Sequence, residues 1–255
     1  MSPLFTSLIA FASVFGGAFL GIFLRNRLPG HHLTADTKDV VRLGTGLIGT
    51  IAALVLGLLI ASANSTYQTE SGQITQLTAN IVLLDRTLAQ YGPETNSVRN
   101  LLRRGVVTLA DRIWRENSSD PGKAEPFEAS AEGASLYDQI QKLSPLDEAQ
   151  RSLRARALDI TVDLAKTRLL LFAKAGGSIP MPFLVVLVSW LTIIFASFSV
   201  FAENNATSIA ALCIFALSAS ASIFLILELS QPFTGLMMIS SEPLRNALAP
   251  LASSH

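Results

Sequence analysis

The chain has 255 residues, of which half are apolar and only 15% are charged, and its formal net charge at pH 7 is zero. Soluble domains carry about 25% charged residues, so this composition argues against a soluble globular protein. A net charge of zero gives no electrostatic basis for binding nucleic acid. The single cysteine, Cys213, excludes a disulfide framework or a cysteine zinc cluster within one chain.

Four segments of about 20 residues contain no charged side chain, whereas residues 64–181 contain 14 of the 19 lysines and arginines. Each uncharged segment matches a hydrocarbon core of about 30 Å at 1.5 Å per helical residue. The first segment is long and has no basic residue before it, so a secretory signal peptide is a poor interpretation. The sequence therefore predicts four transmembrane helices, over residues 4–24, 43–63, 183–202 and 206–227.

The first span has an aromatic face and a small-residue face. We expect the aromatic face to lie against lipid and the small face to pack against a neighbouring helix. The aromatic face consists of Phe11, Phe15, Phe19 and Phe23, and the small face of Ser13, Gly17 and Gly21.

The second span carries small residues at every fourth position, a spacing that allows two helix backbones to approach closely. We predict helix packing along this stripe, which consists of Thr45, Gly49, Ala53, Gly57 and Ala61.

The opposite face of the second span is apolar and ends in hydroxyl groups. It consists of Leu47, Ile51, Leu54, Leu58, Ser62 and Ser65. In a ring of copies these side chains would form a narrow apolar constriction, and such constrictions can gate ion flow by dewetting. The same leucine and isoleucine side chains also suit contact with lipid, so their spacing leaves both interpretations open.

The polar middle of the chain has helical periodicity. A packing seam with steps of three and four residues predicts that the second span continues beyond the membrane as one long helix, ended by Gly92 and Pro93. A second helix follows, then a loop, a weaker helix over residues 127–143 and a final helix. We expect Ser144 to cap this last helix and Pro145 to be its first residue. The first seam consists of Ile74, Leu77, Ile81, Leu84, Leu88 and Tyr91; the second of Val98, Leu102, Val106, Leu109 and Ile113; the last of Leu153, Ala157, Ile160, Leu164 and Leu171.

After the fourth span, Glu228 is followed by a turn at Pro232 and Phe233. A carboxylate costs far less at the membrane interface than at mid-bilayer, so we place Glu228 at the interface. The amphipathic tail beyond it either docks on the helical domain or, with Glu228, borders an ion path.

The predicted fold is all-α, with four transmembrane helices and a helical extramembrane domain inserted between helices 2 and 3. The predicted divisions are residues 1–63 for the first two transmembrane helices, 64–181 for the helical domain, 182–228 for the last two and 229–255 for the tail. Basic residues near the spans are equal in number on the two sides, so the positive-inside rule does not orient the chain.

Catalysis is not expected, because the only histidines, His31, His32 and His255, have no catalytic partner at a recognisable spacing. Adjacent histidines in a loop usually form a polar turn, so we predict no metal site at His31 and His32. No glycine-rich phosphate loop follows a strand, and no cofactor is expected.

The segments "RNRLPGHHL", "LVLGLLIASANSTY", "LDRTLAQYGPE" and "FLILELSQPFTGLMMISSEPLRNAL" resemble the bestrophin-like family of bacterial multi-pass membrane proteins over nearly the whole chain. That family is distantly likened to bestrophins, which are pentameric chloride channels with a cytoplasmic helical domain and a pore lined by the second span. Many relatives have an acidic-basic pair where this chain has Ser230 and Gln231, and a glutamate where it has Thr78. No calcium site is therefore carried over.

The leading hypothesis is a homo-oligomeric ion channel in the bacterial inner membrane that passes anions, with five copies and a cytoplasmic helical domain as the resemblance implies. Its partners would be the lipid bilayer, further copies of itself and small inorganic ions. The alternative is a non-conducting membrane-anchored scaffold or sensor whose helical domain binds a partner through the seam on residues 74–91. An enzyme acting on lipid is a more distant alternative.

Overall fold

A computed structural model describes residues 2–29, 34–119, 131–174, 181–202 and 205–247 of the chain. Its elements are all helical, and a single 3-10 turn at Pro93–Thr95 separates the second α-helix from the third. The helices are α1 Pro3–Arg27, α2 Ala35–Tyr91, α3 Asn96–Ser119, α4 Ala131–Gln141, α5 Glu148–Lys174, α6 Met181–Phe201, α7 Ala206–Leu229 and α8 Glu242–Ala247.

Four of these helices, α1, α2, α6 and α7, are long and apolar enough to cross a membrane. The predicted all-α fold class and the four predicted spans are therefore confirmed. The prediction of one long second helix is also confirmed, because α2 has 57 residues. It ends where expected: Gly92 has a φ of 137°, which only glycine adopts without strain, and Pro93 begins the turn.

The chain divides into two compact units. Unit 1 comprises Met1–Tyr67 and Ser178–Gln231, and unit 2 comprises Gln68–Gly177 and Pro232–His255. Unit 1 contains α1, the first part of α2, α6 and α7. Its core consists of three clusters of buried side chains, which include Val14, Ala52, Leu187, Ala216 and Ile223.

A close helix contact of unit 1 joins α1 to α6 at two glycines. A Cβ atom on Gly21 would lie 2.2 Å from the carbonyl oxygen of Ala196, and one on Gly17 would lie 2.7 Å from that of Thr192. Any side chain at either position would therefore push the two backbones apart. This contact confirms that the small face of the first span packs against a neighbouring helix.

Arg25, in the last turn of α1, forms a second link to α6. Its Nη1 atom donates a hydrogen bond to the carbonyl oxygen of Ala202, which directly follows the end of α6. The last carbonyl groups of a helix have no partner within the helix and carry a partial negative charge. The guanidinium group therefore satisfies an unpaired acceptor and complements the dipole of α6.

Unit 2 is built on three apolar seams, and all three were predicted from the sequence. The α2 seam is almost fully inaccessible, from 0% exposure at Leu77 and Leu84 to 4% at Tyr91. The α3 seam is buried, and the α5 seam is buried or half-buried. Desolvation raises the pKa of the Tyr91 phenol, and the nearby charge of Arg154 lowers it by a smaller amount. The phenol therefore stays neutral at the end of this core.

A buried ion pair joins α2 to α3 within unit 2. Arg99 donates to both carboxylate oxygens of Asp85, with Nε–Oδ1 and Nη2–Oδ2 distances of 2.7 and 2.9 Å. The hydrogen bond to Asp85 raises the pKa of Arg99. This two-point geometry fixes the position of α3 on α2 more tightly than apolar contacts can.

The predicted start of α5 is wrong. The helix begins at Glu148 rather than at Pro145, and its cap is Asp147 rather than Ser144. Asp147 Oδ1 accepts a hydrogen bond of 2.6 Å from the Gln150 backbone nitrogen, and Gln150 Oε1 accepts one of 2.8 Å from the Leu146 nitrogen. These reciprocal bonds satisfy more backbone donors than a serine at position 144 could. The weaker helix α4 covers Ala131–Gln141, and residues 127–130 lie outside the described part of the chain.

We expect Gly21→Ala to lower the thermal stability of the purified protein, because the added methyl group meets the backbone of α6. Overpacking of this kind costs about 1–3 kcal/mol. Gly16→Ala is the matched control, since nothing lies within 4 Å of a Cβ at Gly16. Thermal unfolding in detergent tests this, and equal melting temperatures for the two variants would contradict the packing of α1 on α6.

Candidate functional site

One face of α2 in unit 1 points away from every other helix of that unit. The predicted pore-lining residues all lie there and are exposed in the single chain: Leu47, Ile51, Leu54, Leu58, Ser62 and Ser65. Leu58 is 71% exposed, whereas Thr45, Ala52 and Ala63 on the opposite side are buried. The six residues thus share a surface that the chain itself leaves uncovered.

The same difference appears when whole spans are compared. In the most apolar stretch of α2 only 11% of the residues are buried, against 28% in each of the other three spans. The other three spans therefore supply most of the core of unit 1, and α2 contributes one narrow side to it. Most of the α2 surface is available to lipid, to water or to another protein chain.

Only part of the small-residue stripe of α2 packs against other residues of the same chain. Thr45 is buried, and a Cβ on Gly49 would lie 4.0 Å from Ile194 Cδ1, an ordinary contact distance. Nothing lies within 4 Å of a Cβ at Gly57, and Ala53 and Ala61 are exposed. Helix packing at Ala53, Gly57 and Ala61 therefore stays a prediction about contacts with other chains.

The end of α7 places Glu228 inside the protein. Glu228 is 3% exposed and precedes the last helical residue, Leu229. The nitrogens of Ser230 and Gln231 donate to the carbonyl oxygens of Ile226 and Glu228, which closes the helix end. The carboxylate is therefore shielded from bulk solvent in the single chain.

A closed loop follows in unit 2, over residues 232–239. The Ile239 nitrogen donates a 2.6 Å hydrogen bond to the Pro232 carbonyl oxygen, and Gly235 reverses the chain with a φ of 88°. Trp114 of α3 holds both ends of this loop. Its Nε1 donates to the Ile239 carbonyl at 3.0 Å, and its ring meets the Phe233 ring edge-to-face at 6.0 Å.

The first part of the tail is therefore docked on the helical unit, which is one of the two alternatives that the sequence left open. Trp114 was not among the residues predicted from the sequence, although a tryptophan in an otherwise polar helix is a usable signal for a contact of this kind. Nor was Gln150, whose amide Nε2 donates to the Tyr91 carbonyl at 3.0 Å and joins the start of α5 to the end of α2.

No group of three or more histidine, cysteine or acidic residues that could hold a metal ion occurs in the described part of the chain. His31, His32 and His255 lie outside the described residues. The candidate site is a surface of apolar and hydroxyl side chains.

The family of the chain is shown by a match to a family model. A sequence model of the bestrophin-like domain matches residues 12–244, which is most of the chain. The chain belongs to the bestrophin-like family. No curated protein matches the sequence.

Solved structures show the same fold as this bestrophin-like chain. A bacterial bestrophin homologue from Klebsiella pneumoniae carrying a tryptophan-to-alanine substitution is 14% identical, with a TM-score of 0.70 and 99% of each chain covered. The structure of this homologue phased with zinc gives 14% identity, a TM-score of 0.69 and 99% coverage of each chain. A membrane protein with a proline-to-alanine substitution is 13% identical, with a TM-score of 0.65 and full coverage of both chains. At these identities the likeness establishes the fold, and with the family and four apolar helices it identifies a membrane protein.

The seam on residues 74–91 is not available to a partner in this bestrophin-like protein. Its side chains are between 0% and 4% exposed because they form the core of unit 2. The scaffold or sensor hypothesis depended on this seam pairing with another chain, so it loses the observation that motivated it.

We expect Trp114→Phe to loosen the loop over residues 232–239, because it keeps a ring against Phe233 but removes the donor to Ile239. A hydrogen bond of this kind contributes about 1 kcal/mol. Faster amide hydrogen exchange in residues 233–239, measured by mass spectrometry, is the expected result. Trp190→Phe in α6 is the matched control, and unchanged exchange in the Trp114 variant would show that the bond does not hold the loop.

Proposed function

We propose that this protein is a homo-oligomeric ion channel that conducts anions, with α2 lining the pore. The main observation in support of this proposal is the uncovered face of α2. This face is apolar from Leu47 to Leu58 and carries hydroxyl groups at Ser62 and Ser65. In a single copy the apolar part of this face would lie against lipid. A ring of copies brings several such faces around one axis.

The side chains in such a ring explain how the pore would work. Leu47, Ile51, Leu54 and Leu58 would form an apolar constriction about 16 Å long at 1.5 Å per helical residue. Water leaves narrow apolar passages readily, so a small rotation of α2 would switch the pore between wet and dry states. Ser62 and Ser65 would then meet ions that leave the constriction and replace part of their hydration.

Anion conduction is proposed from the family, and the uncharged stretch of α2 between residues 43 and 65 is compatible with it. No carboxylate occurs between residues 43 and 65, so this stretch contains no acidic ring of the kind that selects cations. The resemblance to bestrophins supplies the copy number of five, the bacterial inner membrane and the cytoplasmic helical domain, all of which belong to this proposal.

The channel proposal predicts that Ile51→Ala and Leu58→Ala increase ion leak. Each change widens the constriction and makes drying less favourable. Chloride efflux from liposomes containing the purified protein is the measurement, with a rise of severalfold over the parent chain as the expected result. Sodium efflux in the same liposomes tests the selectivity.

Leu217→Ala is the control, because Leu217 is an exposed leucine of the α7 span, 61% accessible, and is not expected to line a pore. If Ile51 and Leu58 face lipid, their variants will behave like the Leu217 variant. Absence of any flux through the parent chain, or a monomeric mass in detergent, would contradict the proposed function.

A further inference from the structure

Helix α5 carries a second apolar face on its outer side. Its residues recur with steps of three and four: Ala155, Leu158, Val162, Ala165, Leu169 and Phe172. Val162 and Leu169 are 40% and 47% exposed, and Leu158 is half-buried. We call this set the outer seam of α5, to distinguish it from the inner seam that packs inside unit 2.

The outer seam has the spacing of a helix-packing surface. Steps of three and four place side chains in one row where they fit between the side chains of a facing helix. A helix that is apolar on two sides is normally covered on both. The inner seam of α5 already packs against its own unit, so we expect a helix from another chain to cover the outer seam.

The register of α2 and α5 is fixed at their meeting point. Gln150 Nε2 donates to the Tyr91 carbonyl oxygen at 3.0 Å, which joins the last residue of α2 to the first turn of α5. The chain approaches this contact along α2 and leaves it along α5. We take α2 and α5 as antiparallel at this contact, so that residues equally far from it lie at similar heights, at 1.5 Å per residue.

At those heights the outer face of α2 in unit 2 presents small residues. Gly72 and Leu169 both lie 19 residues from the contact, and Ala79 and Val162 both lie 12 residues from it. Gly72 and Ala79 are exposed, and nothing lies within 4 Å of a Cβ at Gly72. Leu83, which is 38% exposed, and Leu158 both lie eight residues from the contact.

We propose that the outer seam of α5 packs against the outer face of α2, residues 72–86, in a second copy of this chain. The proposal rests on the proposed function. In a ring of copies around an axis through the membrane, equivalent residues of all copies lie at the same height along that axis. The register then holds between neighbours: Leu169 lies over Gly72 and Val162 over Ala79, so two large side chains meet small ones, and Leu158 meets Leu83. A head-to-tail contact of this kind generates a closed ring when its rotation closes.

The charges beside the seam fit the same register. Asp159 is exposed next to the outer seam, and Arg86 is exposed on the outer face of α2. Arg86 lies five residues from the contact and Asp159 nine, so their backbones differ in height by about 6 Å, or roughly one helical turn. An extended arginine spans that distance and can reach the carboxylate of the neighbouring copy.

Cysteine cross-linking in native membranes tests the interface. In a Cys213→Ser background, one chain carries Leu169→Cys and a differently tagged chain carries Gly72→Cys. Oxidation should join the two tags in one covalent dimer. The control pairs Leu169→Cys with Ala79→Cys, which lies seven residues or about 10 Å out of register, too far for a disulfide.

A severalfold higher dimer yield for the matched pair than for the control supports the proposal. Equal yields, or no dimer, overturn it. The mass of the purified parent complex separates the two proposals. A multi-copy complex without the matched cross-link leaves the channel intact and removes this interface, whereas a monomer removes both.

A charge exchange provides an independent test. Asp159→Arg alone and Arg86→Asp alone should each weaken the complex, because each places like charges across the interface. The double variant should restore the complex mass at low detergent-to-protein ratio. Asp159→Arg combined with Arg104→Asp, an exposed α3 position, is the matched control and should not restore it. Equal behaviour of the two double variants overturns the pairing.

Discussion

The close approach of α1 to α6 at Gly17 and Gly21 is the constraint on which unit 1 depends. Without side chains at these positions, two backbones meet at a distance that excludes lipid between them. Lipid tails are as apolar as leucine, so membrane helices associate through close packing rather than through the hydrophobic effect. Within the same unit, α2 contributes only one narrow side to the core and keeps a broad uncovered surface.

Unit 2 follows a different physical rule. Its three inner seams bury apolar side chains, and one buried ion pair, Asp85 with Arg99, sets the position of α3 on α2. Apolar seams tolerate sliding, whereas two parallel hydrogen bonds between a guanidinium group and a carboxylate do not. Trp114 adds the same kind of directional contact for the loop at residues 232–239. Directional bonds thus fix the positions that the seams leave free.

The spans and the seams could be predicted because they depend on repeating patterns of many residues. A charge-free segment of 20 residues and a step of three and four are each supported by several side chains at once. The start of α5 and the Trp114 contact could not be predicted in this way. Asp147 rather than Ser144 caps α5 because of two hydrogen bonds that involve Gln150. Trp114 contacts residues more than 100 positions away in the sequence. The membrane orientation and the pore face stay predictions because charge counts and exposure in one chain do not determine them.

The hydrogen bond from Arg25 to the Ala202 carbonyl has a consequence for biosynthesis. Its two residues are 177 positions apart, and synthesis at about 5–20 residues per second separates them by roughly 10–35 s. During that interval Gly17 and Gly21 of α1 have no α6 backbone to pack against. Arg25 must form its hydrogen bonds with groups other than the Ala202 carbonyl, such as lipid headgroups. The first span therefore reaches its final packing only after the third span has been synthesised.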